Sequence, residues 1–220
     1  MERCEAAPRD KTRAPFMNAL DLIARAQGLL VDLDGTLVDS AAPVGRVWAA
    51  FAHRHGLDPD EVLRFAQGRP SRETIGQLLP EGEQAAEAAA VEEAEVNDPA
   101  GIRALPGAAD LLAGPWRLAI VTSCSQALAS ARLRAAGLPT PPVLVSSDEL
   151  ERGKPDPACF LLGARRLGLE PIGCVVIEDA PAGISAGLAA GAKVIALRTT
   201  HPDHDLRDAH AIIDDLAAIT

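Results

Sequence analysis

The hydrophobic positions of this chain follow two patterns. Short unbroken apolar runs occur at 28–33, 117–122, 142–146, 174–177 and 193–197. None alternates cleanly between apolar and polar residues. Strands covered on both faces read as continuous runs of this kind. The second pattern has the three-to-four spacing of helices and covers 125–137, 155–168 and 180–192, after the second, third and fourth runs. Gly137 and Gly168 supply glycine stops to the first two, while Pro181 suits the first turn of the third and Gly191 its end. Such alternation predicts an α/β fold with a parallel sheet and ligands at the carboxyl ends of its strands.

The stretch 41–104 breaks the rhythm. It is helical in pattern throughout, with no convincing strand, and the turn-rich segment 98–107 closes it. A helical insertion after the first strand is predicted, dividing the chain into a core at 17–40 and 105–220, an insertion at 41–104 and a mobile tail at 1–16. Within the insertion, the Ala/Glu-rich run 83–96 reads as a solvated helix face. Gly183, Gly187 and Gly191 read as small residues that let a helix lie close on a sheet or end.

Composition narrows the function. With 220 residues there is room for one sizeable core plus an insertion. Charged residues at 24% and hydrophobic ones at 48% argue for a folded globular enzyme and against wholesale disorder. The net charge of −10, spread along the chain, disfavours nucleic acid or an anionic membrane as partner. An anionic substrate would be held by a few local cations. The four cysteines, Cys4, Cys124, Cys159 and Cys174, form no paired or metal-type spacing and read as reduced thiols. No apolar run nears the ~18 residues of a membrane span, and the first residues lack the apolar centre of a signal peptide. A cytoplasmic monomer is expected.

The chemistry begins where an apolar run is interrupted. In LLVDLDGTLVDS, residues 29–40, Asp32 and Asp34 leave the end of the first strand on the same face, and the chain turns out through Gly35. Neighbouring carboxylates repel, and a hard divalent cation is the usual remedy. A calcium loop would put its glycine at the sixth position, and here it is at the fourth. At the end of the second strand Thr122, Ser123 and Ser125 offer hydroxyls beside a helix start, an arrangement suited to anions. A serine there would otherwise be a plain N-cap. Lys154 lies between Gly153 and Pro155 after the third strand, and Glu178 with Asp179 ends the fourth. Carboxylates, hydroxyls, a lysine and a second pair of carboxylates thus meet at one edge. Phosphoryl transfer needs that set: a carboxylate nucleophile, a second carboxyl as acid and base, cations for the moving oxygens and a metal site.

In this order the residues resemble the haloacid dehalogenase superfamily of phosphatases, over about residues 27–215. The insertion resembles the small helical cap of that superfamily's first cap class. The stretches 116–125, 152–169 and 174–197 are similar to sugar-phosphate and glycerol-phosphate phosphatases, with features shared by β-phosphoglucomutase. The resemblance implies a Rossmann-like core and Mg2+ as cofactor. It implies that Asp32 is the nucleophile that carries an aspartyl-phosphate. Asp34 would protonate the leaving alcohol and then activate water, its main-chain carbonyl helping to hold the metal. The hydroxyl of Thr122 or Ser123, with Lys154, would hold the transferring oxygens. Asp179 would complete the metal site, with Glu178 as a ligand or behind one. The segment 68–74 resembles a substrate-specificity loop, from which Arg72 would reach the substrate; solvated loop arginines at 69 and 72 are the alternative. The expected substrate is a small phosphorylated sugar or polyol. Mutase chemistry and phosphoglycolate hydrolysis are the alternatives. Val44 stands where the mutase pattern has a histidine, which favours hydrolysis. A dehalogenase would leave Asp34 without a task, and a mere binding module would have no need of Asp32, Asp34, Lys154 and Asp179 together.

Overall fold

A computed structural model of the chain describes residues 18–66 and 68–220. The expected tail at 1–16 and Cys4 lie outside the described residues. In chain order the elements are α1 Ala19–Arg25, β1 Gly28–Val31, β2 Val38–Asp39, α2 Ala41–His55, α3 Pro59–Ala66, α4 Ser71–Leu78 and α5 Glu81–Asn97. Then come β3 Arg103–Ala104, α6 Ala108–Ala113, β4 Leu118–Val121, α7 Gln126–Ala135, β5 Val143–Val145 and α8 Ala158–Arg166. The chain continues through β6 Cys174–Glu178, α9 Pro181–Ala189, β7 Lys193–Leu197, α10 Asp203–Leu206 and β8 Ala211–Ile213.

Six strands form one parallel sheet in the order β5-β4-β1-β6-β7-β8. The five predicted runs supply five of them; β8 is the addition. Successive side chains of a strand face opposite ways, and β1 shows the result. Leu29 and Val31 join Ile120 and Ile177 in one buried cluster, whereas Leu30 joins Val121, Val176 and Phe160 in another. Each such side chain, fully buried, contributes about 1.5–3 kcal/mol. Two-sided burial explains why these runs do not alternate. It also places β1 in the middle of the sheet, with β4 and β6 hydrogen-bonded on either side.

Helices α2–α5 run between β2 and β3, an antiparallel pair that joins Val38 to Ala104 and Asp39 to Arg103. They share an apolar cluster around Phe51, Trp48, Ile75 and Val91, with Trp48 and Phe51 edge to face at 5.4 Å. Gly56, in the left-handed conformation, ends α2. The reading of 83–96 as a solvated face is corrected at two positions of α5. Val91 is buried in the shared cluster and Glu95 is buried against α7. Among the described residues no helix is long and apolar enough to cross a membrane.

Candidate active site

The central position of β1 delivers Asp32 to the middle of the sheet's carboxyl edge, where its N–H donates to the carbonyl of Ile177 at 3.0 Å. Thr122 and Ser123 follow β4 beside it, and Glu178 ends β6 with Asp179 next in the chain. Lys154 arrives from the loop before α8, nearly fully buried. Its ammonium donates to Asp32 Oδ1 at 2.5 Å, Glu178 Oε1 at 2.7 Å and the Val121 carbonyl at 3.2 Å. Four segments that are distant in sequence therefore share one ammonium-centred contact.

Gly35, with φ +76°, makes the turn after Asp34, and a Cβ there would fall 2.1 Å from Asp179 Oδ2. Asp179 is fixed by hydroxyls: Thr36 donates to its Oδ1 at 3.2 Å and Thr200 to its Oδ2. Glu178 has both oxygens engaged. Oε1 takes Lys154, and Oε2 takes the N–H groups of Asp179 and Ala180, each at 2.9 Å. It lies folded against α9, where a Cβ on Gly183 would fall 1.7 Å from its Oε1.

This corner is short of positive charge. Burial pushes Asp32 up to about 7 despite the pull of Lys154, with Glu178 adding to the rise. Asp179 is held well above the usual carboxylate range by burial, by Glu178 and by Asp32. Burial opposes the charge on Lys154, but Asp32 and Glu178 outweigh it and raise that group. Oxygens of Asp32, Glu178 and Asp179 lie within 4.8 Å of one another. An all-oxygen donor set with excess negative charge fits a hard divalent cation such as Mg2+. The carboxylate of Asp34 is outside that set.

Asp34 turns the other way. Its Oδ1 accepts from Ser40 at 2.6 Å, and its Oδ2 from Cys124 at 3.0 Å and from Arg132 at 2.5 Å. Burial, above all, pushes the Cys124 thiol well up, so it serves as a donor. Arg132, buried on α7, also reaches Glu95 Oε1 of α5 at 3.3 Å. Burial lifts Glu95 to about 7 against the pull of Arg132.

The hydroxyls at the end of β4 divide. Thr122 is buried, and its Oγ1 accepts from the Cys124 N–H at 3.1 Å. Ser123 is half-buried and donates to the Gly68 carbonyl at 3.0 Å. Ser125 caps α7 by accepting from the Leu128 N–H at 3.2 Å. Arg72 is committed to main-chain carbonyls, those of Ser147 at 2.9 Å and Leu150 at 2.6 Å. Arg69 lies over the Phe65 ring, 4.3 Å from its centre.

Asp32, Asp34, Thr122, Ser123, Lys154, Glu178, Asp179 and Arg72 all line one cleft of about 410 Å³. Its other wall comes from α2–α5 and includes Val44, Trp48 and Glu92. The size suits a small-molecule ligand. Arg132, Glu95, Cys124, Ser40 and Thr200 also line it and carry no mark in the sequence reading. Arg132 looked like any basic residue near a helix end, and its carboxylate partners are 98 and 37 residues away.

A family model described as haloacid dehalogenase-like hydrolase matches residues 26–191. The chain is 46% identical over 205 residues to hexitol phosphatase A of Escherichia coli strain K12, a match covering 89% of this chain and 94% of that protein. It is 35% identical over 202 residues to validoxylamine A 7'-phosphate phosphatase of Streptomyces hygroscopicus subsp. limoneus, covering 86% and 94%. Among solved structures, β-phosphoglucomutase from Clostridium difficile is similar in fold, with a TM-score of 0.78 and 22% identity over 89% of this chain and 93% of that one.

Proposed function

The chain belongs to the haloacid dehalogenase-like hydrolase family, and from that premise we propose that it hydrolyses small sugar or polyol phosphates with the help of Mg2+. The observation that carries this reading is the split of the two aspartates. Asp32 faces Lys154 and the buried carboxylates, whereas Asp34, two residues on, faces donors on the far side of the same cleft. One carboxylate is thus placed with the ammonium that a phosphate needs, and the other stands apart from it.

Asp32 attacks phosphorus and forms the aspartyl-phosphate as the bond to the leaving oxygen breaks. Asp34 gives its proton to that oxygen, then takes one from the water that attacks the same phosphorus and releases Asp32. Lys154, with the hydroxyl of Ser123 or Thr122, holds the non-bridging oxygens. Asp32, Asp179 and the main-chain carbonyl of Asp34 would hold Mg2+, which supplies the positive charge that lowers the cost of bringing two anions together. Glu178, with both oxygens occupied, stands behind Asp179 and orients Lys154 rather than ligating directly. We assign the core to 17–40 and 105–220 and a cap to 41–104, whose α2–α5 wall faces the alcohol part of the substrate. On that wall Arg72 fastens the cap to the 147–150 segment. A polyol or sugar phosphate is supported by the name of the relative at 46% identity. Hydrolysis rather than mutase chemistry is supported by Val44, which lines the cleft and can move no proton.

Phosphate release from hexitol, hexose, glycerol and deoxyhexose phosphates, phosphoglycolate and β-glucose 1-phosphate tests the proposal, in Mg2+ and then in EDTA. Metal-dependent release from polyol or sugar phosphates is expected. Isomerisation of β-glucose 1-phosphate without release, or silence across the panel, would overturn it.

A further inference from the structure

We infer that Arg132 is a positioning residue for Asp34, and that Glu95 makes this positioning depend on the seating of α5. The inference rests on the reading of Asp34 as the group that protonates the leaving alcohol.

The geometry supplies the argument. Arg132 is 5% exposed, so its guanidinium cannot trade its partners for water. One arm meets Asp34 Oδ2 at 2.5 Å, and the other meets Glu95 Oε1 at 3.3 Å. A planar guanidinium with its arms on two carboxylates fixes both in direction as well as distance. The remaining restraints on Asp34 are the Ser40 hydroxyl on Oδ1 and the Cys124 thiol on Oδ2, the latter a weak donor. Without Arg132 the carboxyl would keep Ser40 as its one strong partner and could swing about its side-chain torsions. A misplacement of about 1 Å at a reacting group costs on the order of 100-fold in rate.

Glu95 extends the chain of dependence. It belongs to α5, and Ala88, Ala89 and Glu92 of the same helix line the cleft. α7 and the loop after β1 belong to the sheet side, so the guanidinium bridges the two walls. When α5 is seated, Glu95 holds the second arm of Arg132 and Asp34 is aimed into the cleft. When it is not, the guanidinium loses one of its two anchors.

Leaving-group dependence distinguishes positioning of an acid from general damage. An alkoxide needs a proton as it departs, whereas p-nitrophenolate leaves without one. Steady-state kinetics would be compared for wild type, Asp34→Asn, Arg132→Gln, Arg132→Lys and Glu95→Gln. The substrates are the best alkyl phosphate of the panel above and p-nitrophenyl phosphate, with circular dichroism as the folding control. For Arg132→Gln, kcat should fall about 10–100-fold on the alkyl ester and about threefold or less on the aryl ester, with KM little changed. Arg132→Lys keeps the charge but loses the planar fork that aims at both carboxylates, so it should show a smaller fall with the same selectivity, and it stands as the test should the glutamine variant not fold. Glu95→Gln should lie between wild type and Arg132→Gln. If Asp34→Asn is selective but the Arg132 variants lose both activities equally, or neither, the inference is wrong and the role of Asp34 stands. If Asp34→Asn itself shows no selectivity, the acid role fails and the inference falls with it.

Discussion

Replacing Lys154 by methionine keeps an unbranched apolar stem but removes the ammonium that lies 2.5 Å from Asp32 and 2.7 Å from Glu178. Because the group is buried, the comparison is not with a surface ion pair, worth about 0–1 kcal/mol. It is with the loss of one partner from a buried pair, about 3–5 kcal/mol. The penalty should depend on pH in a definite direction. Asp32 is raised to about 7, chiefly by burial and against the pull of Lys154. Without the lysine it rises further, and so does Asp179, already well above its usual range through burial, Glu178 and Asp32. Both fold with a carboxyl pKa above the value of about 4 that an unfolded chain shows. The folded variant therefore takes up protons, between pH 4 and its raised pKa values, that the unfolded chain does not, and its stability increases as pH falls.

Lys154 itself is raised, so its contribution in the wild type is complete at every pH below the unfolded value of about 10.4 and does not shape the comparison. The penalty should be full at pH 8 and smaller at pH 5, by about 1.4 kcal/mol per pH unit for each extra proton bound. Urea unfolding of both proteins in EDTA at the two pH values measures it. A penalty below about 1 kcal/mol, or one equal at pH 5 and pH 8, would refute the account of this corner as a buried, undercompensated cluster.

Asp32→Asn should leave an unfolding midpoint close to that of the wild type and abolish turnover; an active variant would remove Asp32 as nucleophile. Gly183→Ala places a Cβ 1.7 Å from Glu178 Oε1, so Glu178 must leave its seat, at about 1–3 kcal/mol. Thermal unfolding reads the loss, and a wild-type midpoint would show that the carboxylate has room to spare. Thr200→Val deletes a donor to Asp179 with little change of shape. It should raise the Mg2+ concentration for half-maximal activity about tenfold, a titration that would come out unchanged if the hydroxyl does not orient that carboxylate.

The sheet was legible wherever burial on both faces suppressed alternation, as in β1, β4, β6 and β7. β8, Ala211–Ile213, is as short as β5, but it escaped because no long helical pattern follows it to mark it as one more alternating unit. The pair β2 and β3 contributes two residues each, and no local pattern marks a partner about 65 positions away. The glycine series held two meanings. Gly187 does lie close on the sheet, against Val176 and Val194, whereas Gly183 makes room for a carboxylate. The acidic residues of the site were readable because they sit at or just after strand ends, and Lys154 because it stands between Gly153 and Pro155 rather than on a helix face. Arg132 and Glu95 sit inside helices, where a charged residue signals solvent unless its partner is known. Their pairing exists only in three dimensions.

The short β2–β3 ladder has a consequence for how this protein can diversify. Val38 and Ala104 are paired residues, and Arg103 reaches Asp39 at 2.6 Å. The chain therefore leaves the sheet layer and returns to it through two adjacent threads, so residues between them form a closed excursion whose ends are fixed. Closure of such a loop depends weakly on its length, about 0.6 kcal/mol per doubling. A foreign segment grafted between residues 40 and 102 would meet the same two ends and leave the strand register untouched. The wall of the cleft built from α2–α5 is thus exchangeable by a single contiguous transplant, provided that the graft keeps an acceptor for Arg132 where Glu95 stands.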